Sequence, residues 1–96
     1  MNRSFYIEIS IRTAEGPRRI GRFELGTDRE SAYTLFKKLK GSSEINQKDM
    51  LYIGFMETAN ELPLNLDILT CDLQELGINV MLITQELFRL SNLKVR

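Results

Sequence analysis

Residues 5–12 read FYIEISIR, and this stretch decides the fold. Apolar residues occupy every odd position while the even positions are mostly polar, which is the pattern of a strand with one buried face. The turn-forming residues 13–17 follow, and a second alternating segment occupies residues 22–25. The sequence therefore predicts an N-terminal β-hairpin.

A helix is predicted directly after this hairpin. Residues 27–30 read TDRE, a capping-box pattern in which Thr27 and Glu30 satisfy each other's backbone N–H groups. The apolar residues that follow recur at helical spacing: Ala32, Leu35, Phe36 and Leu39. Lysines in the last turn complement the helix dipole, and Gly41 is the expected end of the helix.

The remainder is predicted to alternate between strands and helices. A polar loop at 42–48 leads to an apolar strand at 50–56, which is expected to be central because both of its faces are apolar. Gly54 interrupts this strand and indicates a bulge or a close approach of another group, with a structural role favoured over a functional one. Leucines at 66, 69, 73 and 76 predict a helix that begins near Pro63 and ends at Gly77.

The last segments are predicted as a strand at 78–83 and a helix capped by Thr84. The predicted order is therefore ββαβαβα, an α+β fold in which an N-terminal hairpin is followed by αβαβα. Helical crossovers favour parallel neighbours, so the expected sheet is mixed, four-stranded and packed with helices. Residues 1–96 are expected to form a single domain because no repeat or long linker divides them.

Charge is balanced overall and uneven along the chain. Residues 1–40 contain nine Lys/Arg and five Asp/Glu, whereas residues 41–96 contain four and eight, so the two parts carry +4 and −4. Such asymmetry suits an acidic partner or complementary faces for self-association.

The composition argues against many classes of enzyme. There is no histidine, the side chain most used for acid–base chemistry at neutral pH and for binding transition metals. No apolar run is long enough to cross a bilayer, and no signal-peptide pattern is present, so a cytoplasmic location without membrane partners is expected. The single cysteine, Cys71, agrees with a reducing compartment.

No catalytic, cofactor-binding or metal-binding residue is predicted. The scattered glycines form neither of the common phosphate-binding patterns. Cys71 lies among leucines with no histidine to activate it, and is interpreted as a packing residue. Glu57, Glu61 and Asp67 match no calcium loop, so capping or solvated roles are favoured over an acid–base pair or a cation site.

Basic residues gather around the predicted hairpin. Five arginines and one tyrosine form the candidate interaction surface: Arg12, Arg18, Arg19, Arg22, Arg29 and Tyr6. A basic sheet face with an aromatic ring suits single-stranded nucleic acid. Glu8 and Glu24 dilute this charge, and cross-strand ion pairs with the arginines would explain the same residues.

The favoured function is a non-enzymatic protein-interaction or regulatory domain acting through a protein partner or through self-association. The C-terminal stripe of Leu87, Phe88, Leu90 and Leu93 could dock on its own sheet or serve a partner, and a homodimer is one option. Nucleic-acid binding through the arginine-rich hairpin is the alternative. A small enzyme or ligand-binding domain with an irregular carboxylate or thiol site is the third hypothesis.

Overall fold

Two β-hairpins, each followed by one helix, make up the fold. The computed structural model describes residues 3–44 and 50–95. The elements in chain order are β1 (Arg3–Thr13), β2 (Gly16–Gly26), α1 (Arg29–Lys37), β3 (Leu51–Ala59), β4 (Leu62–Cys71) and α2 (Leu73–Val95). The predicted α+β class, a sheet of four strands and the N-terminal hairpin are confirmed, although one of the four predicted strands is not among those observed.

The sheet has the strand order β2-β1-β3-β4, and every neighbouring pair is antiparallel. The prediction of a mixed sheet and of the order αβαβα after the first hairpin is therefore wrong. Two residues, Asn60 and Glu61, connect β3 to β4, and a connection this short can only join antiparallel strands. The segment 50–56 was correctly placed as a central strand, since β3 pairs with β1 on one side and β4 on the other.

Both helices contribute to one core against the same face of the sheet. Phe5, Ile7 and Ile9 of β1 and Ile53 and Phe55 of β3 are buried there. The side chains from the helices are Ala32 and Phe36 on α1 and Ile83 on α2. The ring centroid of Phe55 lies 5.9 Å from that of Phe5 and 5.3 Å from that of Phe36. These aromatic contacts join α1 to the two central strands.

The predicted helix from Pro63 to Gly77 is wrong, because residues 62–71 form the edge strand β4. A β-bulge explains the misleading spacing. Asp67 lies opposite Phe55 and Asn65 lies opposite Met56, so β4 has one extra residue between them. The alternation of apolar residues is displaced by one at this point. Leu66 and Leu69 consequently stand three apart, which imitates helical spacing.

The predicted strand at 78–83 is also wrong, because residues 73–95 form one continuous helix. Its true start is a capping box at Asp72 and Glu75. The Asp72 N–H donates to Glu75 Oε1 over 3.0 Å, and the Glu75 N–H donates to Asp72 Oδ1 over 2.7 Å. Gly77 does not end a helix, and Thr84 does not cap one, because both lie inside α2.

The first helix is shorter than predicted. Asp28, not Thr27, is its N-cap residue, and the Ser31 hydroxyl donates to the Asp28 carboxylate. This hydrogen bond lowers the pKa of Asp28. The helix ends at Lys37, so Gly41 is not its stop signal. Of the predicted polar loop at 42–48, residues 45–48 lie outside the described part, while Ser42 pairs with Thr70 of β4 through two backbone hydrogen bonds of 2.9 and 2.8 Å.

Candidate functional site

The face of the sheet opposite the core, called here the open face, collects four of the six residues in the predicted interaction surface. Tyr6 and Arg12 lie on it from β1, and the β1–β2 register places Arg19 opposite Ser10 and Arg22 opposite Glu8. Arg18 lies opposite Ile11 and therefore belongs to the other face. Arg29 is the first residue of α1 and stands apart from both faces.

Acidic neighbours offset the positive charge of the open face. Arg22 Nε forms an ion pair with Glu24 Oε2, and Arg19 Nη1 lies 3.7 Å from Glu8 Oε2. The hydrogen bond that Arg22 donates to the Glu24 carboxylate raises the pKa of Arg22. The pair between Arg19 and Glu8 crosses from β2 to β1, as the alternative interpretation of the sequence predicted, whereas Arg22 and Glu24 both belong to β2. The two ion pairs leave the face nearly neutral where Arg19 and Arg22 lie.

Tyr6 is placed beneath an arginine rather than presented to solvent. The Arg22 guanidinium carbon lies 3.7 Å from the centroid of the Tyr6 ring, a cation–π contact. Only 3% of Tyr6 is exposed. A nucleic-acid base could stack on this ring only if Arg22 moved away.

Gly54 also lies on the open face, opposite Glu8. A Cβ atom there would lie 3.2 Å from Asn65 Nδ2 and 3.5 Å from Met56 Sδ. The Asn65 amide in turn donates to the carbonyl of Asp67 over 3.1 Å. The close approach that this glycine indicated is therefore made by the chain's own Asn65 side chain, in agreement with a structural role.

The carboxylates and the thiol that could have formed an irregular enzyme site lie far apart. Cys71 pairs with Leu51 at one end of the β3–β4 hairpin. Glu57 lies six residues after Leu51 on β3, which at the rise of a β-strand is roughly 20 Å from the end where Cys71 lies. It is only 5% exposed and lies 3.3 Å from Arg3 Nε. Glu61 is beyond Glu57, in the turn to β4.

Cys71 borders a depression of about 810 Å³. Ile11, Met50 and Leu73 also line it. Burial, followed by the charges of Glu75 and Asp72, raises the pKa of the Cys71 thiol to about 11. The thiol is therefore protonated at neutral pH and is a poor nucleophile there. This environment agrees with Cys71 as a packing residue.

The third predicted acidic candidate, Asp67, is engaged by the backbone. Its Oδ1 atom accepts the N–H of Ile68 over 2.8 Å. Across residues 3–44 and 50–95, no three His, Cys, Asp or Glu side chains are grouped in a way that could hold a metal ion. Within the same residues, no helix is long and apolar enough to cross a membrane.

The outward face of α2, meaning the exposed surface between Gly77 and Phe88, carries exposed apolar side chains. Met81 is 51% exposed and Phe88 is 69% exposed. Both line a shallow depression of about 460 Å³ together with Gly77, Val80, Thr84 and Gln85. Residues 76–85 contain no charged side chain. Exposed apolar groups of this kind mark interaction surfaces in soluble domains.

The outward face was missed at the level of sequence because residues 78–83 were predicted as a strand. Two residues of the apolar stripe predicted at the C-terminus, Leu87 and Phe88, lie on different sides of α2. Leu87 packs against the core whereas Phe88 points outward. The sequence does contain a signal for this helix, the capping box at Asp72 and Glu75. A helix that begins there assigns each following residue to the buried or the exposed side of α2.

Compared with family models, with curated proteins and with solved structures, the chain matches none. Its function is therefore inferred from its own surface.

Proposed function

We propose that this chain is a protein-interaction domain that binds its partner through the outward face of α2. The observation that carries the proposal is the uncharged run of residues 76–85, with Met81 and Phe88 exposed on one side of the helix. Interface cores are depleted of charged residues and enriched in methionine and aromatic residues. The outward face has this composition, and the open face of the sheet does not.

The proposal also agrees with how α2 is held. Ile83 lies in the core and Leu76, Val80 and Leu87 pack against it, so the helix is held between residues 76 and 87 and presents its other side in a constant geometry. A rigid helix binds with little loss of conformational entropy. Met81 adds a side chain that adapts to the shape of a partner.

Site-specific photo-crosslinking in the expressing cell tests this proposal. A photoreactive amino acid at position 81 is expected to give one discrete protein adduct, and a Phe88→Asp substitution in the same chain is expected to abolish it. The matched control carries the photoreactive group at position 24, an exposed site on the open face. The proposal is overturned if position 81 gives no adduct, or if position 24 alone gives one.

Nucleic-acid binding by the open face is the second candidate function. It is favoured by the three arginines and Tyr6 on a sheet face against which no described helix packs. The ion pairs to Glu8 and Glu24 weaken it, because charges already neutralised release few counterions from a nucleic acid. The affinity for single-stranded oligonucleotides, measured at a series of salt concentrations, tests this function. Binding that falls steeply with salt and is lost in an Arg12, Arg19 and Arg22→Ala variant would place this function first.

A further inference from the structure

We infer that the outward face of α2 binds a second copy of this chain, with the two α2 helices packed antiparallel about a two-fold axis. The inference rests on the proposed function, since it names the occupant of the same surface. It concerns four positions that share one side of the helix and form a seam: Gly77, Met81, Thr84 and Phe88.

The spacing of the seam suits pairing with itself. Its members are separated by four, three and four residues, the alternation that places side chains along the contact line of two packed helices. The intervals of four, three and four residues are the same whether the seam is followed from Gly77 or from Phe88. An antiparallel two-fold arrangement therefore places Gly77 opposite the second copy's Phe88, and Met81 opposite the second copy's Thr84. Such an interface uses one surface twice.

The shapes at the two ends of the seam are complementary. A Cβ atom on Gly77 would meet nothing within 4 Å, so the fold of the single chain does not explain a glycine there. Glycine is also unfavourable inside a helix. Phe88, in contrast, is 69% exposed on the same side of α2. The space above Gly77 accepts the Phe88 ring of a second copy, and the reverse holds at the other end.

Charge favours the antiparallel direction. Asp72 and Glu75 precede the uncharged run. Glu86, Arg89 and Lys94 follow it, and the ion pair between Glu86 and Arg89 leaves these three residues with a charge of +1. Antiparallel helices bring the acidic start of one copy towards the basic end of the other, and they also oppose the two helix dipoles. A parallel pair would bring like charges together. The chain has zero net charge, so two copies do not repel each other overall.

The size of the contact sets its strength. A helix of 23 residues is about 34 Å long, and a strip about 10 Å wide along it covers about 350 Å². A standard interface covers about 800 Å² on each partner. The contact along α2 is smaller, so the self-association is weak and depends on protein concentration.

Sedimentation velocity over a wide range of concentrations tests the inference. The wild type is expected to show a monomer–dimer equilibrium. Phe88→Ala removes the inserted ring, and Gly77→Phe blocks the space for it, so each single substitution is expected to weaken association at least about tenfold. Both sites are exposed, so circular dichroism is expected to show unchanged folding.

The double variant Gly77→Phe with Phe88→Ala is the decisive protein. It places the aromatic ring at position 77 and the space for it at position 88 of each chain, so the two fit again in an antiparallel pair. The association constant is expected to recover to within about threefold of the wild-type value. A parallel pair would not recover, because each position would face itself. A wild type that stays monomeric at every concentration, or a double variant no better than the single ones, overturns the inference. The crosslink at position 81 to a different protein would then still support the proposed function.

Discussion

Asn79 of α2 and Lys40 of the α1–β3 connection are joined by two hydrogen bonds across 39 residues of sequence. The Lys40 N–H donates to Asn79 Oδ1 over 2.6 Å, and Asn79 Nδ2 donates to the Lys40 carbonyl over 2.8 Å. Asn79 is completely buried. A single side-chain amide thus satisfies both backbone groups of Lys40 and fixes the second helix to the first half of the chain.

Replacing Asn79 by leucine is expected to destabilise the fold by about 2–4 kcal/mol, because two backbone groups lose their partners where water is excluded. Urea denaturation followed by circular dichroism measures the change. Gln74→Leu on the exposed first turn of α2 is the matched control and is expected to change stability by less than about 0.5 kcal/mol. Equal denaturation midpoints for the two variants would show that the Asn79–Lys40 bonds contribute little.

Gly41 is required by the approach of the chain to β4. A Cβ atom there would lie 2.5 Å from the Thr70 carbonyl oxygen, and its φ of +153° is unfavourable for other residues. Gly41→Ala is therefore expected to cost about 2–3 kcal/mol in the free energy of unfolding.

Gly77→Ala is the control for Gly41→Ala, since its Cβ meets nothing. At a protein concentration low enough to avoid association, it is expected to stabilise α2 by about 0.5–1 kcal/mol. Chemical denaturation of both variants gives the comparison. Equal stability of Gly41→Ala and the wild type would mean that residues 41 and 42 are not held against Thr70.

The turn between β3 and β4 contains the described non-glycine residues with positive φ, Asn60 at 54° and Glu61 at 68°. Positive φ at both central positions defines a type I′ turn, in which Asn-Gly is the preferred pair. Glu61→Gly is therefore expected to raise the melting temperature and to stabilise the fold by about 1 kcal/mol. Glu15→Gly in the first hairpin, where φ is not positive, is expected to bring no gain. A Glu61→Gly variant that melts below the wild type would contradict this turn type.

The thiol of Cys71 provides a test of burial. An unfolded cysteine has a pKa of about 8.5, whereas burial raises the pKa of Cys71 to about 11. At pH 8.5 the native thiol is expected to react with a disulfide reagent about a hundredfold more slowly than in urea, because far less thiolate is present. Equal rates in the two conditions would show that Cys71 is accessible.

The same pKa shift predicts a dependence of stability on pH. The folded state holds the Cys71 proton more tightly than the unfolded state does, so its contribution is complete below the unfolded pKa. That contribution is lost as the pH rises from about 8.5 towards 11. Denaturation of a Cys71→Ser variant over the same range separates this effect from other titrations.

The first half of the fold could be predicted because its local signals agree with its tertiary structure. The alternation at residues 5–12 sets β1, and the apolar spacing of Leu35 and Phe36 sets the buried side of α1. The second half could not be predicted in the same way, because a bulge beside Leu66 displaced the alternation of β4. The turn at Asn60 and Glu61 also lacks the glycine that signals a hairpin.

The candidate site depends on that second half. The predicted helix over β4 makes Gly77 a stop signal and Met81 a strand residue, so the sequence does not indicate the outward face of α2. The open face involves the first half of the chain. The pairing of β1 with β2 places Tyr6, Arg12, Arg19 and Arg22 on one face and Arg18 on the other, an assignment that needs the register of the strands.

Methionine methyl groups allow the most direct test of self-association through α2. Met50 lines the concavity beside Cys71, Met56 lies on the open face opposite Tyr6, and Met81 lies on the outward face of α2. In a dilution series observed by methyl NMR, the Met81 resonance is expected to shift with concentration while those of Met50 and Met56 stay constant. A Met81 resonance that is unchanged at every concentration would contradict self-association through α2.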